Sequence, residues 1–279
     1  MIKELKVNFY RIIRSKSFIV ILILLLLGAV FSSLVIKFLA DDPFDLLDKI
    51  RVEVVDSATT EEDVASFNIF FDSIDSLRDV NKLSGVVRMT MCSDLVCFLH
   101  CIFVAFFISA EYKSRYHVNH FSLSPHPARV VFLEWISLAM TIVLVELIRF
   151  AISLGLSVLM CSSFEFDDVV KTSAYLVLVL GIMIVFASFA FMIAFLRRSG
   201  GLSIVLSSLF CFGVVDFIFG VLSVWLPWTW YLSLNNLLNE VAYNRLSSVD
   251  YLISMVVVVL YCAVFLTISL AVAAKRDPY

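Results

Sequence analysis

The chain has 279 residues, of which 61% are apolar and 16% charged, with 26 phenylalanines and a formal net charge of −3. That composition excludes a soluble globular domain, whose charged share runs near about one quarter. The small net charge averages two faces of opposite sign, and no nucleic-acid partner is expected from it.

Residues 1–17, MIKELKVNFYRIIRSKS, come first. Ile2, Leu5, Phe9 and Ile12 recur at helical spacing among Lys3, Lys6, Arg11 and Arg14. This pattern predicts a basic amphipathic helix lying flat in the membrane interface. Crossing a bilayer core takes roughly 20 consecutive, mostly apolar residues in a helix. Six runs qualify, at about 18–39, 88–110, 130–161, 172–196, 201–226 and 251–273. Each is expected to be a helix, because lipid offers backbone groups no partner and the alternation of barrel strands is missing. The first run is too long for the core of a cleaved signal and is expected to stay as a span. The third exceeds a bilayer's need and is expected to tilt or break.

Orientation follows from Lys and Arg. With the N-terminus inside, the inner segments hold Lys3, Lys6, Arg11, Arg14, Lys16, Lys113, Arg115, Arg129, Arg197, Arg198, Lys275 and Arg276. The long loop at about 40–87 then lies outside with twelve Asp or Glu. Within it, Phe67, Phe70, Phe71, Ile74 and Leu77 mark an apolar helix face over 64–80, read as a small external cap. The expected fold is an all-α polytopic membrane protein: six transmembrane helices, an N-terminal interfacial helix, and both termini cytosolic.

Between spans two and three the chain reads FFISAEYKSRYHVNHFSLSPHPARVVFLEW. A membrane helix runs into Glu111-Tyr112-Lys113, crosses a polar segment bearing Arg115, His117 and His120, and re-enters the membrane after Arg129. Only Glu111 stands near the histidines as a further ligand, so a solvated, partner-facing cytosolic segment over 111–129 is expected rather than a metal site. Farther on, LRRSGG (196–201) reads as an inner turn whose glycines stop one helix and start the next. In LPWTWYLSLNNLLNEVAYNRLSSVD (226–250), Trp228, Trp230 and Tyr231 belong at a headgroup boundary. The leucines after them predict a short interfacial or re-entrant helix ending near Tyr243.

Ionisable groups inside spans are costly and therefore candidates for function. Four stand out: Asp94, Glu146, Arg149 and Asp216. Glu146 and Arg149, three apart on one helix face, can neutralise each other or line a polar path. Asp94 lies close enough to the end of its span to reach water, whereas Asp216 is nearer mid-membrane. The six cysteines sit in or beside spans without a CxxC pair and are expected to pack as small apolar residues. Ser203, Ser207 and the neighbouring glycines allow close helix approach, either inside the bundle or between chains. No HExxH, GxSxG or GxxxxGK[ST] occurs, so no catalytic residue is assigned and no nucleotide site of its own is expected.

The order of parts resembles the permease subunits of type-2 ATP-binding-cassette exporters. KVNFYRIIRSKSF is similar to that family's connecting helix. Glu111-Tyr112-Lys113 is similar to its acidic-aromatic-basic exit from span two, and Ser124-Pro125-His126-Pro127-Ala128-Arg129 to its re-entry. The resemblance implies a cytosolic P-loop ATPase partner carrying ATP and Mg, with no cofactor in this chain. It also implies a second permease chain, alike or homologous, and coupling through 111–129, where Glu111 would pair with Arg115, Arg129 or the N-terminal basic helix. Phenylalanine-rich spans favour an amphipathic or hydrophobic cargo such as a peptide, a lipid-linked molecule or a drug. The expected location is a bacterial cytoplasmic membrane. Two other classes stand beside it: a non-transporting immunity or sensor component binding a peptide at the outer face, and a proton- or ion-coupled carrier using Asp216 and Glu146.

Overall fold

The computed structural model describes residues 2–41, 82–114, 127–161, 164–242 and 246–275. About 90% of what is described is helical and no strand forms there. The outer cap over 64–80 and the residues Arg115, His117 and His120 lie outside the described residues.

The helices are α1 (Ile2–Arg14), α2 (Lys16–Asp41), α3 (Leu83–Met91), α4 (Asp94–Lys113), α5 (Pro127–Met160), α6 (Val169–Arg197), α7 (Gly200–Cys211), α8 (Val214–Ser223), α9 (Leu234–Ala242) and α10 (Ser248–Lys275), with a 3-10 turn over Pro227–Leu232 before α9. Among the described residues, six helical stretches are long and apolar enough to cross a membrane: α2, α4, α5, α6, the α7–α8 pair and α10.

α1 is amphipathic as its spacing predicts, and it buries Ile12 and Asn8 against the start of α5. Ser15 separates it from α2. The Ser15 hydroxyl donates to Ile12 O at 2.8 Å and accepts from Phe18 N at 3.2 Å, so one side chain closes the first helix and caps the second.

α6 forms the centre. Leu178, Ile182, Met183, Phe186, Phe191 and Phe195 are buried along it, and α4, α7, α5 and α10 pack around it. The peripheral helices keep large apolar side chains exposed, among them Phe31 on α2, Phe217 on α8 and Leu252 on α10. A helix that is apolar on its exposed face has lipid as its solvent. Without a hydrophobic drive between helices in lipid, small residues decide where backbones meet. A Cβ placed on Gly200 of α7 would lie 3.0 Å from Ser109 Cβ and 3.1 Å from Ala105 O of α4. The Ser203 hydroxyl donates to Ala190 O of α6 at 2.7 Å, and Ser207 is fully buried. On the other side of the bundle, the Ser33 and Ser153 hydroxyls meet at 3.0 Å between α2 and α5.

The crossing helices alternate in direction. Tyr175 near the start of α6 donates to Leu246 O just before α10, so those two helices begin at one end of the bundle. At the opposite end, Arg198 stands over the Tyr112 ring where α6 and α4 finish. α1 lies at that second end, and so does the close of α10.

Two sequence expectations change and two are narrowed. The span expected at 88–110 is two helices, α3 and α4, broken at Cys92–Ser93, because Ser93 is extended (φ −132°). The span expected at 201–226 is likewise broken, with Gly213 at φ 86° between α7 and α8, a conformation glycine adopts freely. The third span runs unbroken for 34 residues, about 51 Å at 1.5 Å per residue, and its excess length carries the α1 contact. The turn after α6 is made by Arg198 in the left-handed region at φ 53° and not by a glycine, while Gly200 starts α7 as expected and also serves close packing.

The segment after α8 turns back into the bundle. Tyr261, halfway along α10, donates to Leu232 O at 3.0 Å, and Asn235 donates to Cys211 O at the α7 break at 2.7 Å. The chain after α8 therefore packs back against α7 and α10 through the 3-10 turn and continues as α9.

Candidate functional site: two buried polar assemblies

The first assembly joins the ends of α1, α4 and α5. Glu111 and Tyr112, expected in a cytosolic segment, occupy the last turn of α4, and Glu111 is buried. An ion pair with Arg11 of α1 neutralises its carboxylate. Arg11 also donates to Asn8 Oδ1 at 3.2 Å and lies 6.0 Å from the Phe107 ring centroid. The N-terminal helix is one of the partners expected for Glu111, and Arg115, another, lies outside the described residues. Arg129, in the first turn of α5, pairs with Glu4 of α1 at 3.0 Å. Both of those side chains are about half exposed, so this second bridge contributes little by itself. The Tyr112 hydroxyl donates to Phe195 O near the end of α6 at 3.2 Å, and Lys113 is exposed. One short amphipathic helix thus holds both helix ends that flank 115–126.

The second assembly lies deep between α3, α4 and α5. Glu146 is fully buried. Its Oε2 accepts from Arg149 Nε at 2.8 Å and from Nη2 at 2.5 Å, and its Oε1 meets His100 Nε2 at 2.6 Å. Arg149 also donates through Nη1 to the Thr90 carbonyl. That carbonyl belongs to the last turn of α3, where the break at Cys92 leaves helix acceptors open. Arg149 therefore caps one half of the broken span while Glu146, through His100, grips the other. His100 and Thr90 escaped the sequence reading. A histidine inside an apolar run is a signal, but its depth relative to Glu146 appears only when α4 and α5 are placed side by side.

Asp216 sits in the first turn of α8, half-buried. It accepts from the Ser233 hydroxyl and from the Asn235 backbone. Ser233 in turn accepts from Asn236 N at 3.2 Å, capping α9. Asp216 thus clasps the returning chain to the broken span. Asp94 opens α4. The thiols of Cys101 and Cys211 lie 3.7 Å apart beside this region, and all six cysteines are free.

The aromatic group has mixed placements. Trp228 is exposed, whereas Trp230 and Tyr231 are half-buried and meet edge-on at 5.2 Å. The Tyr231 hydroxyl donates to Asp250 Oδ1 at 2.6 Å. That bond, with some burial and the Asp250 charge, holds the phenol above its ordinary range.

The Glu146 assembly is internally satisfied, and neither assembly presents a nucleophile with a base beside it. They can hold helix segments together and pass a displacement of one to the next. Comparison with family models, with curated proteins and with solved structures finds no match to this chain.

Proposed function

We propose that the chain is the permease subunit of an ATP-driven exporter, moving an amphipathic or hydrophobic cargo with a separate P-loop ATPase and a second permease chain. The observation that carries this reading is the first assembly. A basic amphipathic helix is ion-paired to the end of α4 through Arg11 and Glu111, and to the start of α5 through Arg129 and Glu4. A soluble partner pressing on 111–129 would therefore move α1, α4 and α5 together, and α4 bears on the central helix α6. ATP binding by such a partner would bias a bundle with two arrangements. In this reading both termini and the 111–129 segment are cytosolic, ATP and Mg belong to the partner, and the membrane is the bacterial cytoplasmic membrane.

The test is purification of the chain from native membranes in mild detergent, beside Glu111→Ala, with identification of the proteins retained. Recovery of a P-loop ATPase with the wild type, and its loss with the variant, supports the reading. Absence of any ATPase, from membranes shown to contain one, refutes it.

A further inference from the structure

We propose that Cys101 and Cys211 are a reversible oxidation site inside the membrane, whose disulfide locks the α7–α8 break against α4. The two sulfurs lie 3.7 Å apart, one on α4 and the other at the last residue of α7. Both side chains are fully buried and both thiols are free.

Geometry brings the pair close to bonding. Cys101 donates to Phe186 O of α6 at 3.4 Å, which leaves its sulfur lone pairs to the Cys211 thiol. Bonded sulfurs stand about 2.05 Å apart, so closure draws these two together by roughly 1.7 Å. α7 can supply that movement. It ends at Cys211, and Gly213 follows at φ 86°, so no continuous helix runs through this point. At its other end Gly200, lacking a Cβ, already lets α7 come close to Ala105 and Ser109 of α4.

Burial keeps water-borne oxidants away, so the oxidant must dissolve in hydrocarbon. The α7–α8 stretch is the least buried of the six, and Phe212, next after Cys211, is 53% exposed. A lipid-soluble quinone is such an oxidant. Two S–H bonds break and one S–S bond forms, while two electrons and two protons pass to the quinone, which leaves as the quinol. A lipid-soluble dithiol reverses the step by thiol–disulfide exchange. The neighbours decide what the bond would hold. Asn235, at the start of α9, donates to the Cys211 carbonyl at 2.7 Å, and the last turn of α4 carries Glu111, which pairs with Arg11. The disulfide would therefore tie the returning segment to the helix that α1 grips.

The experiment treats the purified full chain in lipid vesicles with duroquinone, whose fully substituted ring resists thiol addition. Conditions are those that oxidise a lipid-soluble dithiol in matched vesicles. The expected result is loss of two of the six free thiols, with digestion and mass spectrometry recovering one disulfide, between Cys101 and Cys211. Proximity should make that bond form at least about tenfold faster than any other. Cys101→Ala and Cys211→Ala should each abolish it, and Cys97→Ala, one turn away on α4, should leave it. Amide exchange over 227–242 should slow about tenfold on oxidation and recover with the dithiol. Mapping of the wild type decides the matter where a variant fails to fold. Six thiols remaining while the matched dithiol is oxidised overturns the proposal. So does a bond between any other pair, or an exchange rate over 227–242 that oxidation leaves unchanged.

Discussion

Replacing Arg149 by methionine should be far more damaging than replacing Arg149 and Glu146 together. The single change removes two donors to Glu146 Oε2, at 2.8 and 2.5 Å, and the donor to Thr90 O. It leaves a fully buried carboxylate held by His100 alone and an open helix carbonyl at the α3 break. Losing one partner of a buried pair costs about 3–5 kcal/mol, because the remaining charge is stranded. The double variant Glu146→Gln/Arg149→Met strands no charge and should recover about 1–3 kcal/mol of that loss. The assay is reversible unfolding in mixed detergent, followed by tryptophan fluorescence, over the full cycle of single and double variants. If the two single losses add to the double within about 0.5 kcal/mol, the residues are uncoupled and the clamp argument fails.

Gly200→Val should destabilise the bundle by about 1–3 kcal/mol, since its side chain would meet Ala105 O and Ser109 at about 3 Å; the same unfolding assay checks it. Gly201→Val is the control, because nothing lies within 4 Å of that position. Asp216→Leu should free the returning segment from the α8 turn, seen as faster amide exchange in 227–242. If Asp216 clasps rather than carries protons, transport in vesicles should survive Asp216→Asn, and loss of transport with exchange unchanged would favour a carrier. The raised Tyr231 phenol predicts that stability declines as pH climbs above the unfolded tyrosine value of about 10. The folded form holds that proton more tightly, so stability is complete below this value and lost as pH passes through the folded one. Tyr231→Phe should remove that part of the pH dependence, and an unchanged alkaline profile would count against the Asp250 bond.

Much of the architecture was legible because lipid leaves few alternatives. Runs of apolar residues long enough to cross must be helices, and α2, α5, α6 and α10 fall close to the expected ranges. The amphipathic spacing of Ile2, Leu5, Phe9 and Ile12 likewise predicted α1. Hydropathy is blind to a break inside an apolar run, however. Phe212–Gly213 does not interrupt the hydrophobic pattern, and the Ser93-Asp94 helix start in span two was short enough to be absorbed into it, so spans two and five looked continuous. The Glu146–Arg149 pair was visible at three-residue spacing on one helix, whereas His100 and Thr90 join it from elements 46 and 59 residues away.

By itself, then, the sequence determined what must be helical and which end of each helix is polar, since these depend on local composition and on the solvent around it. Tertiary structure decided which polar groups meet. The small residues of α7 were equally suited to an internal or an external contact, and packing turned Ser203 inward against α6 and buried Ser207. Glu111 was expected to pair with Arg115, Arg129 or the N-terminal helix, and the placement of α1 across the ends of α4 and α5 brings Arg11 to it. Asp216 looked like an isolated acid until the chain after α8 folded back to bring Ser233 and Asn235 to it. In each case the partner is distant in sequence, and an ion pair or hydrogen bond depends on distances of a few ångströms that composition does not encode.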